Sequence, residues 1–371
     1  MNFSYWENKT LIGRPDVVVV GSGITGLSTA IHAKQKNPQA KVVILERGMM
    51  PWGASSKNAG FACFGSPGEI LADIKRTSFE EVIALIRYRK EGLDTIMGLL
   101  GADHMDFQMH GGYELFQASQ QEEYEECLGI LDALNSELQA DFGGNAFEKV
   151  ENTFGFGHTA NIIKCNFEGQ IDTGLMISAY LKLAEKNGVQ IFNGASVQSI
   201  EDLNHEVEVK LEGGMSFKAG KVVVCSNGFA KQFFDEDVQP ARAQVLVTKP
   251  IDNLPWKGTF HYDQGYYYFR NIHNRILLGG GRNLDFKAEE TTEMETSELI
   301  MNKLKDMLQE VILPGQKVEI DQTWAGIMGV GETKKPIVKN ISPNVICGIR
   351  LGGMGVAIGT LVGKKCVELL D

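Results

Sequence analysis

Four consecutive valines lead into a glycine turn in Asp16-Val17-Val18-Val19-Val20-Gly21-Ser22-Gly23-Ile24-Thr25-Gly26. An unbroken β-branched run of this kind reads as a strand buried on both faces, and the G-x-G-x-x-G turn passes directly into a helical pattern. A second apolar run, Lys41-Val42-Val43-Ile44-Leu45, ends in an acid, Glu46, twenty residues after Gly26. Strand, glycine turn, helix, strand and spaced acid form the context of a dinucleotide-binding βαβ unit. Gly21 permits the tight turn, Gly23 lets backbone approach a pyrophosphate, and Gly26 lets helix and strand pack closely. Ser22, Ile24 and Thr25 place the helix start, with its unpaired N–H groups, against the phosphates. Glu46 can accept hydrogen bonds from a ribose diol, which disfavours a 2′-phosphorylated cofactor and leaves NAD or FAD.

The residues after Glu46 bear on that choice. Arg47 to Cys63 reads RGMMPWGASSKNAGFAC, a polar, glycine-rich stretch where a plain NAD domain would continue its βαβ winding. Its segment Ser55-Ser56-Lys57-Asn58-Ala59-Gly60 offers hydroxyls, a cation and backbone donors that can follow a long cofactor past its pyrophosphate. Near the C-terminus, Asn344 to Gly348 reads as a strand, Gly352-Gly353-Met354-Gly355 as a turn and Val356 to Leu370 as a helix. A helix start aimed at a flavin would stabilise the anion left by two-electron reduction. The net charge of −11 is spread without a basic cluster, which argues against nucleic acid or an anionic membrane as partner. Six cysteines without a C-x-x-C pair read as reduced thiols of a cytoplasmic protein. Met1 to Glu7 lacks the basic and apolar regions of a signal peptide. Val345 to Gly363 is apolar, but Arg350 and six glycines interrupt it, so no transmembrane segment is expected.

The ordered set of motifs resembles the D-amino-acid oxidase / glycine oxidase / sarcosine oxidase superfamily of FAD-dependent amine oxidoreductases, over essentially the whole chain. The resemblance is carried by LERGMMPWGASSKNAGF, by Gly169-Gln170-Ile171-Asp172-Thr173-Gly174, and by Lys221-Val222-Val223-Val224-Cys225-Ser226-Asn227-Gly228. It continues through Pro240-Ala241-Arg242-Ala243-Gln244, the hairpin from Tyr266 to Gly280, and Gly348 to Gly363. It implies an α/β, two-domain fold: a Rossmann-like FAD-binding domain (1–75, 165–235 and 322–371) and a discontinuous substrate domain on an antiparallel sheet (76–164 and 236–321). It also implies oxidation of a C–N bond in a small amine or amino acid, with dioxygen or another acceptor taking the electrons. The cofactor set then adds Val197, whose backbone lies near adenine in the family, Ser226, Asn227 and Gly228 under the cofactor, Gly326 on the strand facing the flavin, and Gly352 to Val356.

Three departures from the family pattern bear on the substrate. Relatives acting on glycine or D-amino acids carry a carboxylate-binding arginine where this chain has Met328. Sarcosine oxidases attach flavin through a cysteine where this chain has Gly326, so noncovalent FAD is expected. Their lysine in the substrate hairpin corresponds to Leu278-Gly279-Gly280. Arg270 and Arg282 are the candidates for the missing cation. Tyr266, Tyr268 and Arg270 alternate and so share one face of a strand, while Trp324 and Met354 are expected on an apolar wall beside the cofactor. His261 and His273 read as ordinary polar residues. An NAD-dependent dehydrogenase and a flavin-binding electron carrier without a small substrate stand as alternatives.

Overall fold

A computed structural model describes residues 3–371; Met1 and Asn2 of the N-terminal stretch lie outside the described residues. The valine run forms the strand Val17–Val20. It sits within a six-stranded sheet, between Lys221–Val224 and Val42–Glu46, both parallel to it. Val345–Ile349 and Gln190–Asn193 extend the parallel array on either side, and Ile337–Ser342 closes one edge antiparallel. Both faces of the central strand are covered, which is why its sequence is continuously apolar. Val17 and Val19 pack toward a layer containing Leu27, Ile44, Tyr180 and Ile358. Val18 and Val20 pack against Val197, Val209 and Phe217 on the other side. The first layer is supplied by the helices Ile24–Lys36, Thr173–Lys186 and Gly355–Glu368. The second is a three-stranded meander of Val197–Asp202, Val207–Leu211 and Ser216–Ala219.

The other large sheet has eight strands. Its order is Ile320–Val330, Gln239–Thr248, Arg275–Gly280, Tyr267–Ile272, Thr259–Tyr262, Gly112–Phe116, Asn161–Cys165 and Phe147–Val150. All neighbours are antiparallel except Thr259–Tyr262 and Gly112–Phe116. Its apolar face is unusually aromatic: Trp256, Phe260 and Phe269 meet Phe156 and are closed by the helix Glu298–Met307. The fold is therefore mixed α/β, with a parallel Rossmann-like sheet and a mostly antiparallel one. By its hydrogen bonds, Ile320–Val330 belongs to the eight-stranded sheet, so the boundary expected at residue 322 falls inside a strand. The apolar stretch from Val345 to Gly363 divides into the strand Val345–Ile349 and the start of the helix Gly355–Glu368. Among the described residues no helix is long and apolar enough to cross a membrane. All six cysteines are unpaired and buried.

Candidate active site

The glycine turn is built by backbone geometry. Gly21 has φ +101°, a conformation that side chains rarely tolerate, and its N–H donates to Leu45 O at 2.9 Å. At Gly26 a β-carbon would lie 1.9 Å from Gly21 O, so helix and turn touch as closely as the motif requires. Gly26 thus packs the turn and stands behind the cavity wall. The helix Ile24–Lys36 starts at Gly23 without a side-chain cap on that residue. Ser55 Oγ instead comes across and accepts from Ile24 N at 2.9 Å. Glu46, buried at the end of its strand, accepts from Ser22 N (3.0 Å) and Ser22 Oγ (2.7 Å) on one oxygen and from Gly48 N (2.8 Å) on the other. The turn and the second strand are therefore joined through the acid.

The stretch 47–60 folds back over this turn. The Arg47 guanidinium lies 3.8 Å from the centre of the Phe229 ring, and Lys57 Nζ 4.2 Å from that of Trp52. Burial lowers the Lys57 pKa. Asn58 Oδ1 accepts from Gly60 N (2.9 Å) and Thr173 Oγ1 (3.0 Å), and so fixes the turn against the helix Thr173–Lys186. Ser56 turns its hydroxyl to Pro51 O at 2.7 Å, away from the cavity.

A cavity of about 800 Å³ runs through these elements, within the range of small-molecule sites. One end is walled by Gly21, Ser22, Gly23, Ile24 and Thr25 with Glu46, Arg47 and Val197. The middle is walled by Ser55, Lys57, Asn58, Ala59 and Gly60, with Ser226, Asn227 and Gly326. Gly352, Gly353, Met354, Gly355 and Val356 line it at the start of the C-terminal helix, and Tyr266, Tyr268, Arg282 and Met328 line it on the eight-stranded sheet. Met354 caps that helix without a side-chain hydrogen bond, leaving first-turn N–H groups available to a ligand. Two buried wall hydroxyls, Thr25 Oγ1 and Ser226 Oγ, have no partner. Such orphaned groups, the uncapped start of the helix Gly355–Glu368 and the Glu46 carboxylate fit a long, polar, phosphate-bearing cofactor with a ring system at its far end. Gly228 stands behind the wall. A β-carbon there would lie 2.3 Å from Met328 O, so Gly228 lets the loop pass under the strand Ile320–Val330.

The structure separates the two candidate arginines. Arg270 is buried and turned to the backbone: Nε donates to Ala59 O, Nη2 to Ile171 O (2.9 Å) and Nη1 to Asn271 O (3.2 Å). Burial lowers its pKa to about 10. It clamps the 47–60 stretch to the sheet and stands outside the cavity wall, so the expectation that it meets the substrate is corrected. Arg282 does line the cavity. Its Nε is buried without a partner, and its guanidinium carbon is 5.0 Å from the Phe286 ring centre. The segment bearing it is anchored by Glu289, which receives Arg242 at 2.6 and 2.9 Å and Gln244 at 2.9 and 3.0 Å. Trp324 is likewise corrected: Nε1 donates to Lys57 O at 2.8 Å, and the ring braces the loop from outside. Tyr268 does face the cavity, and burial pushes its hydroxyl pKa up to about 12. Tyr266 is more exposed and meets Phe286 edge-on at 6.0 Å.

Phe61, Cys63 and His261 also line the cavity, where the sequence had given them no role and had read His261 as an ordinary polar residue. Cys63 Sγ lies 4.0 Å from Met354 Sδ. Phe61 stands edge-on to both Tyr268 and His261, and His261 lines the cavity. Behind His261 is the fully buried Glu168. No spacing rule connects residues 63, 168 and 261; only the register of the folded strands brings them together.

The profile of the family described as FAD dependent oxidoreductase (DAO) matches residues 16–369. A probable oxidoreductase OrdL of Haemophilus influenzae is 23% identical over 97% of this chain and 84% of its own length. The γ-glutamylputrescine oxidoreductase of Escherichia coli is 24% identical over 96% of this chain and 83% of its own. The crystal structure of glycine oxidase from Geobacillus kaustophilus superposes with a TM-score of 0.73 at 17% identity, covering 96% of this chain and 94% of that one.

Proposed function

The chain belongs to the DAO family of FAD-dependent oxidoreductases and is an enzyme of the amino-acid oxidase/dehydrogenase type; on that premise we propose that it oxidises the C–N bond of a small amine or amino acid carrying an anionic group, using noncovalently held FAD. The observation that carries this reading is the single cavity joining the dinucleotide turn, the C-terminal helix start and the Tyr268–Arg282 wall. Glu46 would take the adenosine ribose, the Ile24 and Gly355 helix starts the phosphates and the flavin ring, and Ser226 and Thr25 would satisfy their hydroxyls on the cofactor. When bound, the flavin supplies a two-electron acceptor. The protein's part is to hold the amine carbon close to it, at roughly 3–3.5 Å, and to exclude water. Noncovalent attachment is supported by Gly326, which has no thiol to offer, and by Cys63, whose thiol burial keeps protonated and so poorly nucleophilic.

Of the two candidate arginines, Arg282 is the one open to the substrate, since Arg270 is occupied by backbone carbonyls, and Met328 brings no charge. A half-buried guanidinium with a bare Nε should be paired by an anionic group on the substrate. The names of two relatives, one an oxidoreductase of γ-glutamylputrescine and one an oxidase of glycine, support a C–N substrate with a carboxylate. The test is anaerobic flavin reduction by a panel of neutral amines, amino acids and carboxylated amines, with wild type and Arg282→Met. Carboxylated substrates should reduce the flavin best, and the variant should lose about 2–5 kcal/mol of their binding. Neutral amines reducing best, or full activity in the variant, would refute the role given to Arg282.

A further inference from the structure

His261 occupies the middle of the site, on the strand Thr259–Tyr262, flanked across the sheet by Glu114 and Tyr268. Its Nε2 lies 3.5 Å from Glu168 Oε2. Neither atom has a hydrogen-bond partner, although both are buried. Glu168 is held in place through its other oxygen, which accepts from Phe64 N (3.1 Å) and Gly65 N (3.3 Å). It is not part of the cavity wall, whereas the imidazole is. The order is thus cavity, imidazole, carboxylate. With Nε2 turned inward to Glu168, Nδ1 is the nitrogen left to the cavity. A carboxylate behind a histidine fixes its tautomer, keeping a proton on Nε2 and a lone pair on Nδ1, and stabilises the imidazolium once it forms.

We propose that His261 is the base that takes the proton from the substrate's ammonium group, and that Glu168 is the positioning residue that orients and charges it. The proposal rests on the reading of the site as an amine-oxidising one. An ammonium substrate cannot release a hydride, because its nitrogen lone pair is tied up in the N–H bond that protonation adds. His261 Nδ1 removes that proton, giving a neutral amine and an imidazolium paired with Glu168. The freed lone pair forms the C=N bond as the Cα–H bond breaks, and the hydride, with both electrons, goes to the flavin. The iminium product is hydrolysed by water, and the proton leaves His261 when the cavity opens to solvent.

The surroundings suit this role. Burial alone would lower the histidine's pKa, but the adjacent Glu168 carboxylate, with the charges of Glu114 and Glu69, outweighs it and leaves the pKa above the ordinary value. That brings the base closer to an ammonium's own acidity. Glu114, which accepts from Gly68 N at 2.6 Å, is itself pushed up to about 7 by burial. Glu69 is neutralised by Arg89 (3.0 Å) and Lys334 (2.7 Å). Cys63, with its sulfur within 4.8 Å of the pair, stays a protonated thiol. Glu168 is therefore the acid that faces His261 directly.

Two measurements on the FAD-loaded enzyme decide the matter. The first is the pH profile of anaerobic flavin reduction in wild type, His261→Asn and Glu168→Gln. In the wild type the rate should rise with pH through the histidine's titration. In His261→Asn the rise should move up to the substrate ammonium's own titration, with a loss of roughly 10²-fold near neutral pH that disappears at alkaline pH. In Glu168→Gln the rise should move down, because the base is weakened. The second is the titration of His261 followed by NMR in histidine-labelled enzyme, its signal identified by its absence from His261→Asn. Glu168→Gln should lower its midpoint by roughly one unit. A rate loss uniform at every pH, superimposable profiles, or an unmoved midpoint would overturn the proposal. If His261→Asn fails to bind FAD, the Glu168→Gln profile and the midpoint still decide. Flavin that no amine or amino acid reduces at any pH overturns the functional reading itself; flavin that is reduced with an unaltered profile overturns the role of His261 alone.

Discussion

At the residue scale, Glu46 and Arg270 show how far identity alone carries. Glu46 was legible as a candidate because that reading depends on spacing from a glycine turn, and the spacing survives into the fold: the carboxylate sits beside Ser22 at the cavity wall. Replacing it with alanine removes acceptors for a ribose diol, each charged hydrogen bond being worth roughly 1.5–3 kcal/mol. Apoenzyme titrated with FAD should then bind about one to two decades more weakly than wild type. Unchanged affinity would remove Glu46 from the ribose site. Arg270 was misread because alternation gives a strand face and not a depth along it. Tyr268 and Arg270 do share a face, but the arginine reaches past the cavity to the carbonyls of Ala59 and Ile171. Removing it leaves those buried acceptors unpaired. Arg270→Met should therefore lose about 2–5 kcal/mol of stability in urea unfolding, whereas Arg282→Met should stay within about 1 kcal/mol of wild type. Equal stability losses in the two variants would contradict this division of labour.

At the element scale, the strands with the most direct sequence signal are those buried on both faces. Val17–Val20, Val42–Glu46 and Lys221–Val224 lie in the parallel sheet, where continuous apolar sequence is a direct consequence of burial on both faces. Phe147–Val150 and Asn161–Cys165 escaped notice. The first is only four residues long and does not alternate, exposing Glu148 and Lys149; the second is only five residues long. Both become strands because Phe147, Ile163 and Cys165 pack beneath the helix Gln121–Phe142, a tertiary requirement that local pattern does not record. The long strand Ile320–Val330 was read in part, from the motif on it. Its pairing with Gln239–Thr248 along nearly its full length places Met328 on the cavity and turns Trp324 to the loop at Lys57.

At the scale of the whole molecule, the two sheets meet around one cavity, and the functional end of that cavity is assembled from segments far apart in sequence: Phe61 and Cys63, His261, Tyr268, Arg282 and Met354. The half proposed for the cofactor was legible because it is written in contiguous motifs of glycine turns and helix starts. The substrate half depends on long-range register, which is why His261 with Glu168 behind it emerged only from the folded chain. The central claim, that this enzyme oxidises a C–N bond with FAD, is tested most directly by an anaerobic single turnover. The protein's visible flavin absorption and the amine or ammonium released after quenching would be measured together against a panel of amines and amino acids. The account predicts loss of the oxidised flavin band with an equal quantity of C–N bond cleaved, and no bleaching by 2-hydroxy acids. Flavin that stays oxidised with every C–N compound, or is reduced without a C–N bond being cleaved, would contradict it.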